Sequence, residues 1–247
     1  MKGNNYSFKL PNLDVLEKEY FTKKMSTVDI AKKYGVTTGA VLNKFRRNKI
    51  KLRSLSESQS VIANHIILTP EFIDFINGLL LGDGSIVLTT NKKSCWYGHS
   101  DKNREYLIWL KKSFKSFGVK CSEIKPHTNN AWSIKTLSYR DFAELRNTWY
   151  PYGKKKIPEI NITPITLFNW YIGDGSYDKK SKSEKVVICS EFDQAGKIVI
   201  SNKLREMGIQ NSVYKNCIYI KSESRIVFFQ YITNHVFSIP ECYKYKF

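Results

Sequence analysis

No apolar run in the 247-residue chain approaches the roughly 20 residues that span a bilayer. The N-terminal stretch Met1-Lys-Gly-Asn-Asn-Tyr6 lacks the apolar core of a signal peptide. A membrane partner is therefore not expected, and the expected setting is intracellular: a bacterial or phage-infected cytoplasm, or an organelle matrix. Cysteine is sparse and scattered. The five residues Cys95, Cys121, Cys189, Cys217 and Cys242 form no C-x-x-C. The four histidines, His65, His99, His127 and His235, stand at zinc-ligand spacing from none of them. A structural zinc is not expected, and all five cysteines read as packing residues in a reducing compartment. Acidic residues are also few. Twenty-two Asp and Glu face 40 Lys and Arg, leaving a net charge of +18 and a pI near 9.6. The lysine clusters interleave with Tyr, Trp and Phe, and no basic amphipathic anchor helix accompanies them. The partner implied is nucleic acid.

Against that background one stretch stands out twice. Ile76-Asn-Gly-Leu-Leu-Leu-Gly-Asp83-Gly-Ser-Ile86 is echoed by Leu167-Phe-Asn-Trp-Tyr-Ile-Gly-Asp174-Gly-Ser-Tyr177. Each apolar run begins at a Thr-Pro pair, Thr69-Pro70 and Thr163-Pro164. Thr is a good N-cap, and Pro is pre-set for the first helical position. Both runs predict helices that close near Gly-Asp-Gly. A carboxylate at a helix C-terminus meets the negative end of the dipole and loses stability there. Doing so at matching places in two halves suggests that Asp83 and Asp174 serve something other than folding.

The surrounding pattern repeats as well. After Asp83 the sequence predicts two strands joined by a basic turn, a helix ending at Phe117-Gly118-Val119, a strand pair over about 120–125 and 131–136, and a helix to about Trp149. After Asp174 the same order returns, with the helix ending at Met207-Gly208-Ile209. The steps from Asp to Gly agree: 118 − 83 = 35 and 208 − 174 = 34. The fold class expected is α+β. Duplicated αββαββα units, over 69–157 and 158–247, follow a small all-α domain.

That small domain, 1–50, carries Ser26-Thr-Val-Asp-Ile-Ala-Lys-Lys-Tyr-Gly35-Val and a second helix from near Thr37. Ala31 lets two helices cross, and Gly35 makes the tight turn. The stretch resembles the helix-turn-helix of DNA-binding proteins. Its second helix offers Thr38, Asn43, Lys44, Arg46 and Arg47 on one face, types that suit base edges and phosphates. Residues 51–68 read as a linker, in which Arg53 could track a phosphate backbone.

The two Gly-Asp-Gly runs and their registered repeats resemble the LAGLIDADG homing endonucleases, with signatures at 76–84 and 167–175. Two copies on one chain look like the monomeric, two-motif members, which implies that the duplicated units are related by pseudo-twofold symmetry and form a DNA-binding saddle. The resemblance implies a site-specific double-stranded DNA endonuclease. Such an enzyme hydrolyses one phosphodiester on each strand across the minor groove, leaves 3′ overhangs, and uses Mg²⁺ or Mn²⁺. Asp83 and Asp174 would be catalytic and would hold metal, with the carbonyls of Gly82 and Gly173 adding ligands. A lysine from each half would assist. Pro151-Tyr-Gly-Lys-Lys155 and Pro240-Glu-Cys-Tyr-Lys244 share a Pro-to-Lys step of four, which points to Lys155 and Lys244. Lys156, Lys246 and the strand-end pair Lys135 and Lys221 are the alternatives. Ser100 and Ser190 correspond by count (100 − 83 = 17, 190 − 174 = 16) and are assigned to ordering water. Lys92, Lys93, Lys179, Lys180 and Lys182 in hairpin loops, with Lys120, Lys135, Lys215 and Lys221 on or beside strands, would contact DNA. The family's scaffold leaves two other readings, an intron RNA maturase and a catalytically silent DNA-binding regulator.

Overall fold

The computed structural model describes residues 10–54, 65–90, 92, 94–179, 184–235 and 237–247. Among the described residues, no helix is long and apolar enough to cross a membrane. The chain divides into two compact units, Met1–Ala63 and Asn64–Phe247.

In the first unit, α1 (Leu13–Glu17) runs on into a π-turn over Lys18–Thr22. Helix α2 (Thr27–Tyr34) starts in a capping box, in which the Ser26 side chain accepts from the Asp29 N–H and the Asp29 carboxylate accepts from the Ser26 N–H. It ends at Gly35, whose φ of 61° is left-handed and costs glycine least. Helix α3 (Thr38–Arg47) follows, capped by the Thr37 side chain. Leu16, Tyr20, Ile30, Ala31, Val41 and Phe45 form the core. Glu19 is buried beside it and accepts from Lys33 and from the Tyr34 hydroxyl. The Lys33 bond holds its carboxyl below the usual range against the opposing cost of burial.

The second unit is a doubled α+β fold. Helix α4 (Pro70–Leu81) leads into β1 (Ser85–Leu88) and β2 (Cys95–Asp101), then α5 (Arg104–Ser116), β3 (Lys125–Pro126), β4 (Trp132–Lys135) and α6 (Phe142–Trp149). The order then returns in α7 (Pro164–Asp174), β5 (Gly175–Asp178), β6 (Lys185–Cys189), α8 (Gln194–Glu206), β7 (Asn211–Tyr214), β8 (Cys217–Ile220) and α9 (Arg225–Thr233). Each repeat builds a four-stranded antiparallel sheet, ordered β1-β2-β4-β3 and β5-β6-β8-β7. The Thr-Pro starts behave as the sequence predicts. Thr69 accepts from the Phe72 N–H and Thr163 from the Thr166 N–H, with Pro at the first helical position in both.

The core lies between the sheets and their helices. Ile86, Tyr97, Ile134, Val186, Ile188, Ile218 and Ile220 point inward, while alternate positions such as Ser176, Lys135 and Lys185 face out. Strand β3 is shorter than the 120–125 that the alternation predicts. Only Lys125–Pro126 ladder with β4, and upstream the pairing shrinks to a bridge between Cys121 and Thr136. The cysteines also depart from expectation. Cys189 and Cys217 are direct partners on β6 and β8, with Cα atoms 4.0 Å apart, and they form a disulfide; Cys95, Cys121 and Cys242 are free.

Candidate active site

Helices α4 and α7 pack side by side at the centre of the second unit. The approach is close because Gly78 has no side chain: a Cβ there would stand 2.3 Å from the Thr166 carbonyl oxygen. The Thr166 hydroxyl donates to the Asp74 carbonyl across the same seam, at 3.1 Å. Asn169, opposite Gly78, turns its amide back along its own helix to the Ile165 carbonyl. One glycine thus suffices for the contact.

Because the helices run together, their ends deliver Asp83 and Asp174 into one cleft of about 740 Å³, which Lys155, Ser190 and Glu191 also line. The two carboxylates are not alike. Asp83 is exposed and Asp174 half-buried. Burial pushes the Asp174 carboxyl up to about 7, and the charge of Asp83 adds to the rise; the Trp170 indole, Lys155 and Lys246 oppose it.

A lysine caps each helix end. The Lys155 Nζ donates to the carbonyls of Gly82 and Gly84, both at 2.8 Å. The Lys246 Nζ donates to those of Ile172 at 2.6 Å and Gly173 at 3.2 Å. Free carbonyls at a helix C-terminus favour such cations. Burial draws the Lys155 ammonium down to about 8 and lowers Lys246 as well, with both aspartates opposing the shift in each case. The lysine at the second helix end is Lys246, and Lys244, to which the Pro-to-Lys step points, lies elsewhere. Lys244 is exposed and pairs with Glu241 at 2.6 Å. The final 3₁₀ segment, Glu241–Lys246, turns by about 120° per residue, so a shift of two positions changes the side that a side chain faces. The count from the motif carries the signal that the Pro-to-Lys step missed: 155 − 83 = 72 and 246 − 174 = 72.

The serines divide too. Pairing of Ser85 with Gly98 and of Ser176 with Val187 makes Cys189, and not Ser190, the counterpart of Ser100. The second hairpin is two residues shorter (98 − 85 = 13, 187 − 176 = 11), and a slip of one residue exchanges the faces of a strand. Ser100 is exposed, whereas Ser190 is buried and its Oγ accepts from the Phe192 N–H.

The basic residues also sort by place. Among the helix-turn-helix candidates, Asn43, Arg46 and Arg47 are exposed and Thr38 is half-buried at the start of α3. Lys44 donates to the Pro11 carbonyl at 2.8 Å. Arg53 is tied into the first unit, where its guanidinium donates to the carbonyls of Lys24 and Met25 and covers the Tyr20 ring at 3.9 Å. Both side chains are therefore held within the first unit. Lys92, Lys120, Lys135, Lys179, Lys215 and Lys221 are exposed. Lys135 lies over Trp96, Lys179 over Tyr177 and Lys215 over Tyr214. Lys93, Lys180 and Lys182 lie outside the described residues.

A hard divalent cation fits the donor set in part. Two carboxylates face one cleft, and burial, with the charge of Asp83 adding to it, favours the protonated form of Asp174, a cost that a bound cation would offset. The Gly82 and Gly173 carbonyls already accept from ammonium groups. No group of three or more His, Cys, Asp or Glu gathers among the described residues. Such a site suits Mg²⁺, which keeps several waters and takes one or two carboxylates plus substrate phosphate.

Residues 73–230 match the model of the LAGLIDADG DNA endonuclease family. The chain belongs to that family. An uncharacterised protein of Methanocaldococcus jannaschii is 28% identical over 183 residues, 68% of this chain and 67% of that protein. The DNA endonuclease I-ChuI of Chlamydomonas applanata is 27% identical over 162 residues, 57% of this chain and 74% of its own. The homing endonuclease I-WcaI, solved bound to its DNA recognition sequence, shares the LAGLIDADG fold with a TM-score of 0.61 at 22% identity, over 72% of this chain and 86% of its own.

The raised Asp174 pKa has a consequence in the metal-free protein. The folded value, near 7, lies above the ordinary 3.8, so the folded state binds more protons between those values and stability falls as pH rises from about 4 to 7. Asp174→Asn is expected to remove that slope. Thermal melts at pH 5 and pH 8 in EDTA should show a smaller fall in Tm for the variant than for wild type.

Proposed function

We propose that the protein is a site-specific, monomeric two-motif DNA endonuclease that hydrolyses one phosphodiester on each strand across the minor groove, leaving 3′ overhangs. The observation that carries this reading is the pair of carboxylates at the ends of two packed helices, each helix end holding its own lysine. Asp83 and Asp174 would hold Mg²⁺ or Mn²⁺. Bound there, the metal would supply an activated water and charge stabilisation at the phosphate. Lys155 and Lys246, anchored on backbone carbonyls, place positive charge where negative charge grows on the phosphate oxygens. The outward sheet faces supply contacts through Lys120, Lys135, Lys215 and Lys221, and the loop residues Lys92 and Lys179 grip backbone. Residues 1–50 act as a helix-turn-helix DNA-binding domain through Asn43, Arg46 and Arg47, and lengthen the target.

The test is a cleavage selection on a randomised duplex library with Mg²⁺, followed by sequencing of both ends. A single enriched target with staggered 3′ ends is expected. Blunt or random ends, or binding without cutting, would overturn the reading. The lysine assignment has its own check. Lys246→Met is expected to slow cleavage by about 10²-fold, as loss of one positioned charge does, and Lys244→Met by less than about twofold. Single-turnover rates on the selected site decide between them.

A further inference from the structure

The two motif carboxylates differ in one contact that the pseudo-twofold does not share. Trp170 and Asp174 stand four apart on α7 and therefore on one face. The Trp170 Nε1 donates to Asp174 Oδ2 at 3.2 Å, and the indole is fully buried. The whole carboxylate lies toward the end of α4, with Oδ1 at 3.7 Å and Oδ2 at 3.8 Å from where a Cβ on Gly82 would be. The residue four before Asp83 is Leu79, which has no donor to offer, and Asp83 is exposed. One carboxylate is thus tethered through Oδ2 beside the end of α4, while the residue at the matching place leaves the other untethered by any indole.

We propose that Trp170 is a positioning residue that makes the two strand cuts unequal, speeding the scission served by Asp174 by fixing its carboxylate before substrate binds. The inference rests on the endonuclease reading of the pair. A carboxylate held in one rotamer needs less reorganisation at the moment of reaction than one free to turn. A buried indole N–H also requires a partner, and here that requirement is met by the reactive group itself. The two roles differ in what they predict: a merely structural bond would affect both strands alike.

The test labels each strand of the target with its own dye and follows single-turnover cleavage of wild type, Trp170→Phe, and a variant with 3-benzothienylalanine at 170, which keeps the bicyclic shape and loses only the N–H. Wild type is expected to cut one strand first and accumulate a nicked intermediate. Both variants should slow that strand about tenfold and leave the other within twofold. Equal slowing of both strands, or an unchanged ratio, overturns the proposal. In a second arm, free of DNA and metal, the Trp170 indole N–H resonance should move in Asp174→Ala and stay in Asp83→Ala; an indole that moves in neither overturns the tether. A wild-type protein that cuts neither strand while the resonance behaves as expected overturns the endonuclease reading and, with it, the inequality of the cuts, but leaves the tether standing.

Discussion

Asp83→Asn and Asp174→Asn are each expected to reduce double-strand cleavage by at least about 10³-fold, equivalent to roughly 4 kcal/mol of transition-state stabilisation, while target binding should stay within about threefold. The argument for the size of the loss is electrostatic. Each substitution removes one of the two negative charges facing the cleft and leaves the helices, the lysines and the outward sheet faces intact. Affinity for DNA comes from phosphate contacts spread over the surface, so a change at the helix ends alters it little. Stability should move in the opposite direction to activity. The charge of Asp83 is part of what raises Asp174 to about 7, so removing either charge relieves a repulsion in the metal-free state. Equal or higher Tm with lost cleavage separates a catalytic effect from unfolding. A variant at either position that retains cleavage within tenfold of wild type would sink the assignment of that aspartate.

Much of this site can be read from the chain because its signals are local. Thr-Pro starts, apolar runs and Gly-Asp-Gly ends are each set within a dozen residues, and the repeat registers them twice. The turn between α2 and α3 is local for the same reason: Gly35 supplies its left-handed residue. What the chain hides depends on register between distant segments. The second hairpin is two residues shorter than the first, and that difference moves the counterpart of Ser100 onto Cys189. The pairing of β6 with β8 brings Cys189 to Cys217, 28 residues on, which no spacing rule announces. The Pro-to-Lys step points to Lys244 although Lys246 meets the helix end, because a shared step says nothing about which side of a 3₁₀ turn faces that end. Arg53 looked like a linker cation because its partners, two carbonyls at 24 and 25 and the Tyr20 ring, lie more than 25 positions upstream.

Gly78→Val is expected to be the most destabilising single change at the centre of the molecule. The first atom of any side chain there meets the Thr166 carbonyl oxygen at 2.3 Å and the Asn169 Cβ at 2.8 Å. Both are closer than van der Waals contact permits, and neither is the movable end of a flexible chain. The helices must therefore separate, giving up the burial of Ile76, Leu79 and Leu80 on one side and of Phe168 and Ile172 on the other. Overpacking of this kind costs about 3 kcal/mol or more. At about 2–4 °C per kcal/mol for a domain of this size, Tm should fall by roughly 6–12 °C. Gly82→Ala is the control on the same helix, since its Cβ would reach Asp174 Oδ1 only at 3.7 Å, an ordinary contact. Its Tm should change by less than about 3 °C, in line with about 1 kcal/mol or less. Cleavage should report the same seam. Because α4 and α7 hold Asp83 and Asp174 against each other, Gly78→Val loses both cuts even at temperatures where the protein remains folded. If Gly78→Val melts within 2 °C of wild type, the close approach of the two helices at this level is wrong, and with it the common cleft that joins the two carboxylates.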